Sequence, residues 1–136
     1  MRVFLDTNVW ASGLATRGLC SDVVRTVIES HELVICERLL VELGRVLRSK
    51  FGAPVDAAEE AVQLLRDDSI LGDETPLVKV SLKDKDDVPI LSAAINAGAE
   101  VFVTGDAQIQ RLGRLGSMRI VSPRRFWEEL RGPATD

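Results

Sequence analysis

A chain of 136 residues, 46% of them apolar, can build one hydrophobic core and bury about two thirds of the surface that its unfolded form exposes. No apolar run approaches the roughly 20 residues that cross a bilayer, and Arg2-Val3-Phe4-Leu5 is broken at once by Asp6, unlike a signal peptide, so the expected setting is the cytoplasm. The formal net charge of −4 argues against a protein that coats DNA, although uncompensated acids awaiting a divalent cation would give the same balance.

In chain order, Val3 to Leu5 reads as a short buried strand, and Ser21 as the cap of a helix whose Val24, Val27 and Ile28 recur at helical spacing. His31 lies in a polar turn; as the lone histidine it excludes imidazole-based zinc binding and histidine-assisted nucleophiles. Leu33 to Cys36 is a second strand, followed by helices from Glu37 to about Lys50 and from about Asp56 to Arg66. Cys20 and Cys36 stand apart with no further cysteine to partner them, so both read as reduced packing residues. The polar stretch from Asp68 to Asp86, with Gly72 and Pro76, reads as a loop with room for a short strand from Leu77 to Val80. A helix then starts near Asp87, accepts Pro89 in its first turn and stops at Gly98. Val101 to Thr104 and Met118 to Val121 are further strands; a short helix begins near Ala107, and Ser122 caps the last helix with Pro123 at its first position. Strands alternating with helices predict a doubly wound α/β sandwich with a mainly parallel sheet, one domain over residues 1–130 and a frayed tail over 131–136.

Four acids do not read as ordinary surface. Asp6 and Asp106 each follow directly on a strand, and the carboxyl ends of parallel strands are where ligands bind. Each has a structural alternative, the capping of the helix that follows. Glu42 borders the apolar stripe of Leu39, Leu43, Val46 and Leu47, where an ion pair with Arg38 or Arg45 is the plainer explanation. Asp87 closes a cluster with Asp84 and Asp86 at a helix start; the helix dipole favours acids there, yet three carboxylates so close repel one another unless a cation compensates. Together with Thr7, Asn8 and Thr104 these residues offer oxygen ligands only, which suits Mg²⁺ or Mn²⁺, one or two ions.

With Leu5-Asp6-Thr7-Asn8-Val9, the glutamate in Leu39-Leu40-Val41-Glu42-Leu43, Asp84-Lys85-Asp86-Asp87 and Val103-Thr104-Gly105-Asp106 in this order, nearly the whole chain resembles the PIN-domain family. It is most similar to the branch of toxin components of bacterial or archaeal toxin–antitoxin pairs related to VapC, which the ending Arg119-Ile120-Val121-Ser122-Pro123 through Phe126 also resembles. The resemblance implies a three-layer α/β/α fold and a Mg²⁺- or Mn²⁺-dependent endoribonuclease, regulated by an antitoxin and commonly dimeric. By motif position Asp6, Glu42, Asp87 and Asp106 match the family's four acids, and Asn8 and Thr104 its supporting polar positions. Asp87 rather than Asp86 fits the spacing to Gly98, which leaves Asp84 and Asp86 beside the site. One departure bears on a second metal ion: many relatives carry a further aspartate where this chain has Gln108.

On this reading the substrate is RNA, met by rim cations such as Arg17, Lys83, Lys85, Arg111 and Arg114, although most such side chains are merely solvated. Trp10 and Trp127 flank apolar helix positions and read as core or dimer contacts rather than stacking platforms. Two rivals remain: a catalytically silent module of the same fold that only holds RNA or protein, and an aspartate-nucleophile phosphatase. The phosphatase normally wants a second acid two residues after its nucleophile, where this chain has Asn8.

Overall fold

A computed structural model describes residues 1–132; the expected tail lies, from residue 133 on, outside them. Among the described residues six strands form one sheet: β1 (Arg2–Leu5), β2 (Glu32–Ile35), β3 (Ile70–Leu71), β4 (Val101–Val103), β5 (Arg114–Leu115) and β6 (Met118–Val121), in the order β3-β2-β1-β4-β6-β5. All pairings are parallel except β5 with β6. Between the strands run α1 (Thr7–Ala15), α2 (Leu19–Ser30), α3 (Glu37–Ser49), α4 (Val55–Asp68), α5 (Asp87–Asn96), α6 (Ala107–Gln110) and α7 (Pro123–Leu130). The result is the expected three-layer α/β/α sandwich, in which α2 packs on α1 and α7, and α3 on α1 and α4.

The central strands are buried because they are continuous apolar runs, as a sheet covered on both faces requires. Val3, Phe4, Leu5, Val34, Ile35, Val101, Phe102 and Val103 are fully buried. Register sets Phe4 opposite Phe102, and their rings stack with centroids 5.0 Å apart. Burying each such ring stabilises the fold by about 1.5–3 kcal/mol relative to exposure. Chain order reverses at β1, whose neighbours β2 and β4 are reached in opposite directions, so a crevice forms at the carboxyl ends of β1 and β4.

Four details differ from the sequence expectation. The second helix starts at Leu19 behind Gly18 instead of being capped by Ser21. The reason lies at Gly13 on α1, where a β-carbon would collide with Val24 and the Cys20 carbonyl; the bare glycine lets the start of α2 close onto α1. Cys36 and Thr104 fall just beyond β2 and β4 rather than inside them, and Cys36 becomes the residue before α3. No strand forms from Leu77 to Val80. The Val78 amide instead donates to Ser92 Oγ, and the short strand of this region is β3, earlier in the chain. The β5–β6 hairpin was not anticipated; the Gly116-Ser117 pair between its strands, with Gly116 at φ +57°, is the signal that could have revealed it.

One glycine ties the loop to the helix that carries Asp87. The Gly72 amide donates to Ile35 O at 2.8 Å, and a β-carbon there would run into the Ala93 carbonyl of α5. Gly72→Ala is therefore expected to destabilise the fold by about 1–3 kcal/mol in chemical denaturation. An unchanged midpoint would show that α5 yields freely at this contact.

Candidate active site

Asp6 leaves β1 at the crevice. Its amide donates to Val103 O at 2.9 Å, extending the β1–β4 pairing by one step. Oδ1 accepts from the Thr7 amide at 2.8 Å and caps α1, so the structural alternative for this residue is realised. The cap uses one oxygen. The other, Oδ2, accepts from Thr104 Oγ1 at 2.8 Å across the strand boundary. Thr104 Oγ1 in turn accepts from the Asp106 amide at 3.0 Å, and Gln110 Nε2 donates to Thr104 O at 2.7 Å.

Asp106 is likewise a cap. Its Oδ1 accepts from the amides of Gln108 and Ile109 at the start of α6, while among the described residues Oδ2 accepts nothing. Each strand-end aspartate thus serves local structure with one oxygen. Thr7 adds an oddity: only 2% exposed, it has a buried Oγ1 without a hydrogen-bond partner. Such an orphan is costly in a finished interior and marks a place where a ligand or solvent oxygen belongs. Asn8 is exposed on the first turn of α1.

Glu42 reaches the same region from α3. Leu39, Leu40, Leu43, Val46 and Leu47 bury that helix, leaving Glu42 half-buried at the margin of the stripe. The alternative reading, an ion pair with Arg38, is not realised: Arg38 Nε donates instead to Glu74 Oε1 at 2.7 Å. Arg45 influences Glu42 only through its field. A cleft of about 640 Å³ opens here, lined by Glu42, Asp84, Asp86 and Asp87 and also by Arg38 and Arg45. At its floor α5 begins with Asp87, and Asp84 Oδ1 accepts from the Asp86 amide at 2.9 Å, shaping the turn before the helix.

The acids feel one another. Burial and then the charges of Asp84, Asp6, Asp106 and Glu42 push the Asp87 carboxyl up to about 6. Burial and then Asp6 raise Glu42. Burial, with a smaller push from Asp106, raises Asp6 against the hydrogen bonds from Thr104 and Thr7. None of the four has an ion-pair partner among the described residues. Nor does any trio of acidic, histidine or cysteine side chains there stand as a formed metal cage. The acids converge at the scale of their fields, short of a closed ligand set. Oxygen-only donors, an orphaned hydroxyl and uncompensated charge nevertheless fit a hard divalent cation better than any other group.

Among the rim cations, Arg17, Lys83, Lys85, Arg111 and Arg114 are all exposed. Lys85 lines a neighbouring depression with Lys79 and Leu82, and Arg114 one with Arg119 and Arg125; none of the five lines the acidic cleft. The cations that do, Arg38 and Arg45, were visible in the sequence only as possible ion-pair partners of Glu42. Asn96 carried no signal at all, yet its Nδ2 donates to the carbonyls of Asp73 and Pro76 and holds the loop before α5 in place. Trp10 is fully buried and Trp127 partly so, against the core.

The raised Asp87 has a consequence for stability. A carboxyl that holds its proton more tightly when folded stabilises the fold at low pH and loses that contribution as pH rises through its folded value, here about 6. In the presence of chelator, Asp87→Asn is expected to raise the melting temperature by about 2–4 °C at about pH 8 and by nothing at about pH 4. An equal gain at both values would show that charge crowding is not the cause.

A search of curated protein sequences finds no match. Among solved structures, the chain is similar to VapBC2 from Rickettsia felis bound to a DNA fragment from its promoter, with TM-score 0.60, 16% identity, and 90% of this chain and 98% of that chain covered. It is also similar to VapBC-1 from nontypeable Haemophilus influenzae, with TM-score 0.58, 17% identity, and 91% and 99% covered. At such identities the likeness concerns the fold. The family model of the PIN domain matches residues 2–108, which include every acid of the crevice, and the chain belongs to the PIN-domain family.

Proposed function

We propose that this protein is a Mg²⁺- or Mn²⁺-dependent endoribonuclease and the toxin of a type II toxin–antitoxin pair. The observation that carries the reading is a gathering of unpaired acids: burial and the charges of Asp84, Asp6, Asp106 and Glu42 act together on Asp87 at the switch point of a PIN-family sheet, and among the described residues no cation pairs with Asp6, Glu42, Asp87 or Asp106. Asp6, Glu42, Asp87 and Asp106 would hold one or two ions. A bound divalent ion supplies a water that is nucleophilic near neutral pH and a counter-charge for the leaving oxygen. The chain's own contribution is orientation. Thr104 and the Thr7 amide fix both oxygens of Asp6, and the α6 amides fix one oxygen of Asp106, so these carboxylates lose little freedom on binding. The reaction would hydrolyse an RNA phosphodiester to a 5′-phosphate and a 3′-hydroxyl.

The two similar structures are both named as VapBC assemblies, and on that likeness an antitoxin is the proposed protein partner. A homodimer and a cytoplasmic setting belong to the same reading. No helix among the described residues is long and apolar enough to cross a membrane. The phosphatase rival is weakened by Asn8, which is neutral where that chemistry wants a second acid.

The test is cleavage of single-stranded RNA by the purified chain. Activity is expected to require Mg²⁺ or Mn²⁺ and to fall by at least about 100-fold in Asp6→Asn and Asp87→Asn. Thr104→Val, which removes the bond to Asp6 Oδ2 and the bond from the Asp106 amide but no carboxylate, is expected to cost about 10- to 100-fold. Phosphatase activity without RNA cleavage would support the phosphatase instead. Inactivity of wild type on both substrates, with any antitoxin removed, would support the silent module.

A further inference from the structure

Six carboxylates, Asp87 among them, line the cleft, and a phosphodiester must enter it. Any polyanion meets strong repulsion there unless positive charge faces it, and two arginines are the chain's own supply within the lining. They flank Glu42 on α3, Arg38 four residues before it and Arg45 three after, positions that share one side of a helix. We infer that Arg38 and Arg45 form a phosphate clamp that seats the RNA backbone beside Glu42 and Asp87. This rests on the ribonuclease reading and adds to it the residues that hold the substrate.

The two guanidiniums are in different states. Arg45 is exposed and has no ion-pair or side-chain hydrogen-bond partner among the described residues. Arg38 is engaged by Glu74, but through Nε alone; its two terminal nitrogens donate to nothing among the described residues. The side chains of this pair are 44% and 36% exposed, and ion pairs so open to water contribute little net stability. A phosphate offers a guanidinium a two-pronged, charge-assisted contact and can compete for it. Glu74 is then a built-in competitor, holding Arg38 over the cleft until the backbone arrives. By contrast, Glu37 on the same rim is held by both Nε and Nη2 of Arg66 from α4, which keeps that guanidinium out of the clamp.

An alternative use of Arg38 is purely structural, as a clasp that pins the loop containing Glu74 to α3. The two roles make opposite forecasts. If Arg38 is only a clasp, Arg38→Ala and Glu74→Gln break the same bond and weaken RNA binding alike. If Arg38 holds phosphate, Arg38→Ala removes a contact, whereas Glu74→Gln frees it and subtracts a negative charge from the cleft.

The experiment measures fluorescence anisotropy of a labelled single-stranded RNA of mixed sequence, titrated with the full chain. An Asp87→Asn background slows cleavage, and Mg²⁺ and a range of KCl concentrations are present. Arg38→Ala and Arg45→Ala are each expected to weaken binding about tenfold and to reduce the slope of log K against log salt by about 0.7, the loss of one contact to a single strand. Arg38→Lys should retain the slope and lose part of the affinity, and Glu74→Gln should tighten binding. Equal weakening by Arg38→Ala and Glu74→Gln, or an unchanged salt slope in both arginine variants, overturns the clamp. RNA bound and cleaved by wild type while the arginine variants match it ends the clamp alone. Neither binding nor cleavage by wild type ends the ribonuclease reading on which it rests.

Discussion

Parallel pairing of β1 with β4, in the register that sets Leu5 beside Val103, is the constraint on which the site depends. It places residues nearly a hundred positions apart side by side, so that Thr104 Oγ1 can bond Asp6 Oδ2 just beyond the last strand pair. That register is enforced by burial. Slipping the pairing by one residue would separate Phe4 from Phe102 and unseat side chains packed on both faces of the sheet. The geometry of a polar site is thus inherited from an apolar core, and the hydrogen bond between Thr104 and Asp6 refines a position that packing has already chosen.

Around this anchor the chain gathers negative charge that does not help it fold. Asp6 and Asp106 offset part of the cost by capping α1 and α6, and Thr104 offsets more by bonding the carboxylate of one and the amide of the other. Glu42 and Asp87 have no such compensation and are held half-buried by the helices that carry them. The conflict explains why the carboxylates share a region without forming a closed cage. Like charges repel, and local conflicts of this kind are typical of functional sites on a stable scaffold. Glu37, which lines the same cleft, is by contrast secured by both Nε and Nη2 of Arg66.

Much of this was legible in the sequence because it rests on short-range patterns. Short β-branched apolar runs such as Val101-Phe102-Val103, bounded by turn residues, read as buried strands, and helical spacing in α3 set Glu42 at the edge of its stripe. Less legible were features decided by tertiary contact. The start of α2 depends on a close approach at Gly13, and the fate of Leu77 to Val80 on the Val78 amide finding Ser92 Oγ of α5 instead of a strand partner. The destination of Arg38 is of the same kind. From spacing alone it belongs with Glu42, yet the loop brings Glu74 within 2.7 Å, a partner thirty-six residues away that no local pattern reveals. The capping role posed by the sequence for Asp6 and Asp106 is realised through one oxygen of each, which leaves the second oxygen of Asp6 to Thr104 and that of Asp106 without a donor among the described residues.

The central claim is that four separated acids make a single cation site, and Mn²⁺ binding followed by electron paramagnetic resonance addresses it without reference to catalysis. A shared site requires saturable binding of one or two ions that weakens as pH falls below about 6, where Asp87 takes up a proton, and that is lost in both Asp6→Asn and Glu42→Gln although the two residues sit on different elements. Binding that is absent, or that survives both substitutions, would contradict it.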